Sequence, residues 1–227
     1  MAERNRTLFG RRIGKPLSAR RQRLMNDVFP VLRLDTRSPS PSDIYRLFPV
    51  AMRRVVLEIG FGAGEHLTSA AASDGDTGFI GVEPFVNGMA SAVAEIDRLG
   101  LRNVRLFDGD AGCLMDWLPA GSIVRVELLY PDPWPKRRHR KRRFVSPANL
   151  DRAARLLTPG GSFVLATDVA SYAEWSLVRF RDHPAFRWTA READDWRRPF
   201  AGWTRTRYEA KALAAARRSV YLHYERL

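Results

Sequence analysis

A glycine-rich turn with an acidic residue follows the first long apolar run of the chain. The turn reads Glu58-Ile59-Gly60-Phe61-Gly62-Ala63-Gly64 and leads into an amphipathic stretch. Glycine permits a sharp turn between a strand and a helix, and it lets a ligand approach the backbone closely. We therefore predict that Gly60, Gly62 and Gly64 form a ligand-binding loop, although a plain strand-to-helix turn can carry the same glycines.

The spacing of these glycines separates two classes of nucleotide cofactor. A dinucleotide-binding loop follows G-x-G-x-x-G, which would require glycine where Glu65 stands. S-adenosylmethionine has no pyrophosphate and carries an ammonium and a sulfonium group, so a nearby carboxylate such as Glu58 suits it better than it suits NAD. The loop favours S-adenosylmethionine, and a nicotinamide-dependent dehydrogenase is the alternative on the same fold.

Further acidic residues follow the next two apolar runs. Glu83 stands 23 residues after Gly60, close to where an acid meets ribose hydroxyls in nucleotide-binding units. Asp108 and Asp110 follow the third run, where a carboxylate can accept a hydrogen bond from the adenine amine. Each acid taken singly could be a helix N-cap. Acids after successive strands together favour a nucleotide-like cofactor.

Basic residues concentrate in two segments of the chain. Residues 1–23 carry eight Arg or Lys against one Glu, and residues 136–143, KRRHRKRR, carry seven and no acid. Together they hold a net charge of +14 against +13 for the whole chain, so the remainder is at −1. This distribution is typical of an enzyme that presents basic segments to a polyanion such as RNA. The alternatives for these basic segments are a solvated loop, a sorting signal or a non-catalytic RNA-binding module.

Apolar runs alternate with amphipathic stretches from residue 54 onward. The runs cover 54–60, 77–83, 103–108, 122–130 and 161–168, and the stretches between them predict helices at 65–73, 87–99, 111–117, 147–157 and 170–182. This alternation predicts an α/β fold with a doubly wound, mostly parallel Rossmann-like sheet and ligands at the carboxyl ends of the strands. After a helical EAKALAAARR segment, the run SVYLHYER predicts an antiparallel C-terminal edge strand.

The chain divides into two parts of different composition. Residues 1–25 have little apolar periodicity and 36–43 read as a linker, so we expect a flexible basic arm and linker at 1–43 and a catalytic domain at 44–227. Cys113 is the single cysteine, which excludes an internal disulfide and a thiolate metal cluster, and we expect no metal. No apolar run is long enough to span a membrane. We expect a cytoplasmic protein.

Residues 130–143 carry the most specific pattern in the chain. They read Tyr130-Pro131-Asp132-Pro133-Trp134-Pro135 followed by KRRHRKRR. This pattern resembles the bacterial tRNA (guanine-N7)-methyltransferase family, in which PDPW precedes K-x-R-H-x-K-R-R. The resemblance extends to LEIGFGAGEH, GVEP, ATD at 166–168 and Thr206-Arg207-Tyr208-Glu209, and covers most of residues 54–226. Ala212 and Ala216 depart from glycines that the family often has.

The resemblance implies an activity, a cofactor, a partner and a set of site residues. It implies methyl transfer from S-adenosylmethionine to N7 of a tRNA guanine, at position 46 of the variable loop. We infer no obligatory protein partner and expect no metal, and the sequence leaves open whether the protein is a monomer or a homodimer. The implied cofactor-contacting acids are Glu58, Glu83, Asp110 and Asp132, with Asp110 chosen over Asp108 by motif alignment alone. The implied substrate and RNA contacts are Lys136, Arg138, His139, Arg140, Lys141, Arg142, Arg143, Asp168, Thr206, Arg207, Tyr208 and Glu209.

Guanine N7 sets modest chemical demands on such an enzyme. Its lone pair lies in the ring plane and it has no proton to lose, so positioning can supply most of the acceleration. Because the ring gains positive charge, a fixed carboxylate can orient it and stabilise that charge, and we assign this catalytic role to Asp132. Pro131 and Pro133 fix φ on either side of it. Trp134 is expected either to stack on the base or to pack within the loop.

Overall fold

The protein was analysed as a computed structural model that describes residues 10–200 and 203–227. Glu3, Arg4 and Arg6 of the predicted arm therefore lie outside the described residues. The strands are β1 (Arg54–Ile59), β2 (Thr77–Val82), β3 (Val104–Phe107), β4 (Ile123–Leu129), β5 (Leu157–Thr167), β6 (Phe186–Trp188) and β7 (Val220–Arg226). Each apolar run of the sequence forms a strand, since its β-branched and aromatic side chains suit a sheet covered on both faces.

The described residues form one seven-stranded sheet in the order β3-β2-β1-β4-β5-β7-β6. Strands β1 to β5 pair in parallel, and β7 pairs antiparallel with β5. The doubly wound, mostly parallel fold with an antiparallel C-terminal strand is thus confirmed. A difference in detail is that the short strand β6, not predicted from the sequence, pairs antiparallel with β7 on its outer side.

Helices connect the strands and cover both faces of the sheet. They are α1 (Ala19–Asp27), α2 (Phe29–Leu32), α3 (Glu65–Ser73), α4 (Val86–Leu99), α5 (Ala111–Trp117), α6 (Pro147–Leu156), α7 (Ala170–Arg181), α8 (Asp194–Arg197) and α9 (Arg207–Ala214). Their ends follow local chemistry: Ser146 caps α6 with Pro147 in its first turn, and α4 ends at Gly100 in the left-handed conformation. Among the described helices, none has the length and apolar character needed to cross a membrane.

Part of the predicted N-terminal arm is helical, since residues 19–27 form α1. Ser18 caps α1 by accepting a hydrogen bond from the Arg21 N–H. The chain then enters the core, because Phe29 and Leu32 are buried and the Leu34 N–H donates to the carbonyl of Leu106 in β3. Residues 29–34 therefore pack with the sheet although they precede the predicted boundary at residue 43.

Candidate cofactor and substrate site

A cleft of about 430 Å³ lies at the carboxyl ends of β1, β2 and β4. Strand order reverses between β1 and β4, which is where open α/β sheets place their ligands, because the connecting helices leave the sheet to opposite faces there. The predicted site residues that line the cleft are Gly60, Gly62, Glu83, Asp132, Arg142, Arg207 and Tyr208.

The glycine loop forms the floor of the cleft, with Gly60, Gly62 and Gly64 all in the left-handed region at φ of +73°, +62° and +84°. A Cβ at Gly64 would lie 2.7 Å from the Cβ of Ala92 in α4, so glycine lets the loop pack tightly against this helix. A Cβ at Gly60 would meet nothing within 4 Å, because this residue faces the open cleft. Gly60 thus leaves room for a ligand against the loop backbone.

Glu83 joins the end of β2 to this loop. Its Oε2 accepts from the Gly62 N–H at 2.8 Å, and its Oε1 accepts from the Phe85 N–H at 2.9 Å. Burial raises the pKa of Glu83, the two amide hydrogen bonds lower it, and the nearby Asp132 charge raises it further, so that the pKa lies above its usual value. Each carboxylate oxygen keeps one lone pair for a ligand hydroxyl group.

The loop after β4 carries Asp132 into the other side of the cleft. Tyr130 and Trp134 both have left-handed backbones, with φ of 52° and 43°, which non-glycine residues adopt rarely. The Asp132 side chain is exposed in the cleft. Trp134 lines the same cleft, and the guanidinium carbon of Arg142 lies 5.0 Å from the centre of its ring. Carboxylate, aromatic ring and cation therefore meet within one short segment.

Glu58 does not line the cleft. It is buried on β1, where its Oε2 lies 3.2 Å from His66 Nδ1, and Glu127 of β4 lies 3.5 Å from the same nitrogen. Burial alone lowers the pKa of His66, but the hydrogen bond to Glu58 and the charges of Glu58 and Glu127 outweigh it and raise the pKa. Arg125 Nε lies 2.7 Å from Glu127 Oε1 as an ion pair without hydrogen-bond alignment.

This buried cluster also has the spacing of a metal site. Glu58, His66 and Glu127 offer ligand atoms within 4.8 Å of one another. Arg125 pairs with Glu127 beside these three residues, so the cluster forms a buried polar network below the glycine loop. The sequence contains no pattern that would predict this network, because its members lie on β1, α3 and β4.

Several further predicted residues lie at the same edge of the sheet but outside the cleft. Asp110 caps α5 by accepting from the Cys113 N–H, and Asp108 pairs with Arg33 at 3.0 Å. Asp168, after β5, accepts from Arg217 Nε at 2.6 Å. Contact of Asp110 with a cofactor, and of Asp168 and the exposed Lys136 with substrate, stay predictions.

The segment Thr206–Glu209 forms the start of α9 and divides between two roles. Thr206 caps the helix and is buried. Arg207 and Tyr208 face the cleft, where the Tyr208 ring lies 3.3 Å from the position of a Cβ at Gly62. Glu209 points into the core, where it accepts from Trp203 Nε1 at 2.7 Å and from the Tyr221 hydroxyl at 2.8 Å.

The basic loop 138–143 is mostly exposed. Arg138, Arg140 and Lys141 face solvent on a short 3-10 helix, Arg137–Arg142. His139 packs edge-on against Trp134, with ring centres 5.9 Å apart, and burial together with the neighbouring cations lowers its pKa. Arg143 differs because it is buried.

The N-terminal segment also reaches the cleft, which the sequence did not predict. Gly10 and Arg11 line it, and a Cβ at Gly10 would lie 3.7 Å from Asp132 Oδ2. Asn87 in the first turn of α4 secures this segment by accepting from the Gly14 N–H at 2.7 Å and donating to the Lys15 carbonyl at 2.7 Å. No local sequence signal marks these contacts, since they join residues more than 70 positions apart.

Comparison with known proteins places the chain among methyltransferases. Residues 52–222 match the protein family described as "Putative methyltransferase". The crystal structure of the aminoglycoside resistance methyltransferase NpmB1 is similar to this chain, with a TM-score of 0.56 at 15% identity over 78% of this chain and 89% of that one. At such low identity the likeness concerns the fold alone.

Close relatives cover nearly the whole chain. It is 56% identical over 218 residues to the tRNA (guanine-N(7)-)-methyltransferase of Rhizobium meliloti strain 1021, covering 96% of this chain and 94% of the relative. It is 50% identical over 232 residues to the protein of the same name from Chelativorans sp. strain BNC1, over the full length of both. The chain therefore belongs to the tRNA (guanine-N(7)-)-methyltransferase family.

Proposed function

We propose that this protein transfers a methyl group from S-adenosylmethionine to N7 of a guanine in tRNA. The observation that carries the proposal is the cleft at the β1/β4 reversal, where the glycine loop and Glu83 face Asp132 and Trp134 beside an exposed basic loop. A cofactor half and a base-binding half thus meet in one space. Membership of a family whose relatives bear this name supports the same conclusion.

The cofactor half would hold S-adenosylmethionine, which supplies an electrophilic methyl group when bound. The open space beside Gly60 gives the ligand access to the loop backbone. Glu83 can accept hydrogen bonds from ribose hydroxyls with the lone pairs that the Gly62 and Phe85 amides leave. Because both of its oxygens are already fixed by backbone N–H groups, the carboxylate is oriented before the ligand arrives.

The base-binding half would hold guanine with N7 directed toward the cofactor side. The exposed Asp132 carboxylate can accept hydrogen bonds from guanine N–H donors and stabilises the positive charge that the ring gains. The Trp134 ring offers a stacking surface on one face, while the guanidinium of Arg142 lies over the other. No residue needs to remove a proton, so the chain contributes position and charge.

The exposed part of the basic loop would bind tRNA phosphates. Arg138, Arg140 and Lys141 project to solvent next to the cleft and have no acidic neighbours within residues 136–143. Neutralising all three should reduce the slope of log affinity against log salt by about three, since each phosphate contact contributes roughly one unit. Three parts of the proposal rest on the sequence. They are the methylated position, 46, the cytoplasmic location and a monomeric or homodimeric state.

A nucleoside analysis tests the proposed activity. The full chain is incubated with labelled S-adenosylmethionine and either an unmodified tRNA transcript or a matched transcript in which A replaces G46, and the digested RNA is separated. We expect 7-methylguanosine from the first transcript and no labelled product from the second. Label on an exocyclic amine would overturn the N7 assignment, and equal label in both transcripts would overturn position 46.

A further inference from the structure

Arg143 is the member of the basic loop whose guanidinium faces the protein interior. The residue is 3% exposed, whereas Arg138, Arg140 and Lys141 lie open to solvent. Its Nε donates to the Pro133 carbonyl at 2.8 Å, its Nη1 to the Ser171 carbonyl at 2.8 Å, and its Nη2 to Ser171 Oγ at 3.3 Å.

The surroundings of this guanidinium leave no path to a phosphate group. Its central carbon lies 5.2 Å from the Tyr172 ring centre and 5.1 Å from that of Trp175, both on α7. The two rings cover an ion that already donates three hydrogen bonds to protein acceptors. A buried charge with this many partners fixes the position of the segments that it binds. It does not add to the exposed basic surface that attracts phosphates.

We propose that Arg143 is a positioning residue for the loop that carries Asp132. It connects the Pro133 carbonyl, which lies directly between Asp132 and Trp134, to the first turn of α7. The loop needs such an anchor, because Trp134 holds an unfavourable left-handed backbone and Pro133 has no N–H to donate. The sequence analysis assigned Arg143 to RNA binding together with its neighbours. The positioning role replaces that assignment, and it rests on the proposed function.

The anchor depends on the shape of arginine as well as on its charge. A planar guanidinium donates in fixed directions to acceptors from two segments at once. A lysine ammonium at the same place keeps the charge and much of the stem but cannot span Pro133 and Ser171 in the same geometry. Arg143→Lys therefore separates positioning from charge.

Single-turnover methylation at saturating cofactor and tRNA, together with tRNA affinity at several salt concentrations, tests the proposal. For Arg143→Lys and Arg143→Gln we expect a rate at least about tenfold lower, with the salt slope of tRNA binding unchanged. Arg140→Gln, a matched loss of one charge from the exposed part of the loop, should reduce that slope by about one. Ser171→Ala, which removes the 3.3 Å contact and no basic residue, should lower the rate a few-fold.

The outcomes separate this inference from the proposed function. A wild-type protein that forms no 7-methylguanosine would refute the function itself. If wild type is active and both Arg143→Lys and Ser171→Ala react as fast as wild type, Arg143 does not position the loop. If Arg143→Gln loses one unit of salt slope while its saturated rate is retained, Arg143 is a phosphate contact and the proposal is overturned. Thermal unfolding of each variant identifies any that is not folded, and Ser171→Ala then decides.

Discussion

Replacement of Glu209 by alanine should destabilise the fold more than it weakens tRNA binding. Glu209 is 6% exposed, and its carboxylate accepts one hydrogen bond from Trp203 Nε1 and one from the Tyr221 hydroxyl. Alanine would remove the carboxylate acceptor of both donors in a largely buried place. Each orphaned donor costs about 1–3 kcal/mol, and Trp203 is only partly buried and can regain water, so we expect a loss of about 2–4 kcal/mol.

Glu209→Gln provides the matched control, because the amide keeps the size of the side chain. Its oxygen can still accept from Trp203, and the Tyr221 hydroxyl can turn to accept from the new NH₂ group. Only the charge assistance is lost, so the expected cost is about 1 kcal/mol. Lys211→Ala, on the exposed side of the same helix, should stay within about 0.5 kcal/mol of wild type.

Urea unfolding followed by far-ultraviolet circular dichroism measures these differences, and tRNA affinity is measured on the folded variants. The order of stability should be wild type, then Glu209→Gln, then Glu209→Ala. A Glu209→Ala protein with the wild-type midpoint and lost tRNA affinity would refute this reasoning. It would support instead the sequence-based prediction that Glu209 contacts the substrate.

Three further predictions concern the cleft and the network below it. Asp132→Asn should lower the single-turnover rate at saturation by about 100-fold or more with little change in tRNA affinity, and a wild-type rate would remove the catalytic role. Glu83→Gln turns one loop-facing oxygen into an N–H donor, so calorimetry should find cofactor affinity about tenfold or more weaker and tRNA affinity unchanged. Although burial lowers it, Glu58 and Glu127 raise the pKa of His66 overall, so its stabilising charge is complete below the ordinary value of 6.5 and is lost as pH rises through the raised value. The unfolding free energy of wild type relative to His66→Gln should therefore be larger at about pH 6 than at about pH 9, and a pH-independent difference would contradict a protonated His66.

Most elements of the sheet could be predicted because their signals are local. The run 54–60 forms β1 at Arg54–Ile59, and the amphipathic stretch 65–73 forms α3 with the same bounds. Apolar periodicity, glycine turns and helix caps act over a few residues, so they can be read along the chain. The same holds for the glycine loop and for Pro131 and Pro133, whose backbone limits are intrinsic.

Short or irregular elements were missed for a related reason. The strand β6, Phe186–Trp188, has three residues, too few for a period-two pattern, and it exists because β7 offers an edge with which it can pair. Helix α1 has little apolar periodicity, and its position is decided by packing against α4. Both depend on partners that are remote in sequence.

The sequence by itself determined the fold class, the position of the cleft at the strand ends and the chemical types that reach it. Only the tertiary structure decided which of several similar side chains perform a role in the cleft. Arg140 and Arg143 have nearly the same local sequence, yet one faces solvent and the other binds Pro133 and Ser171. Whether a charged side chain is buried depends on acceptors and rings that arrive from distant segments, because a charge leaves water only where other parts of the chain replace its hydration.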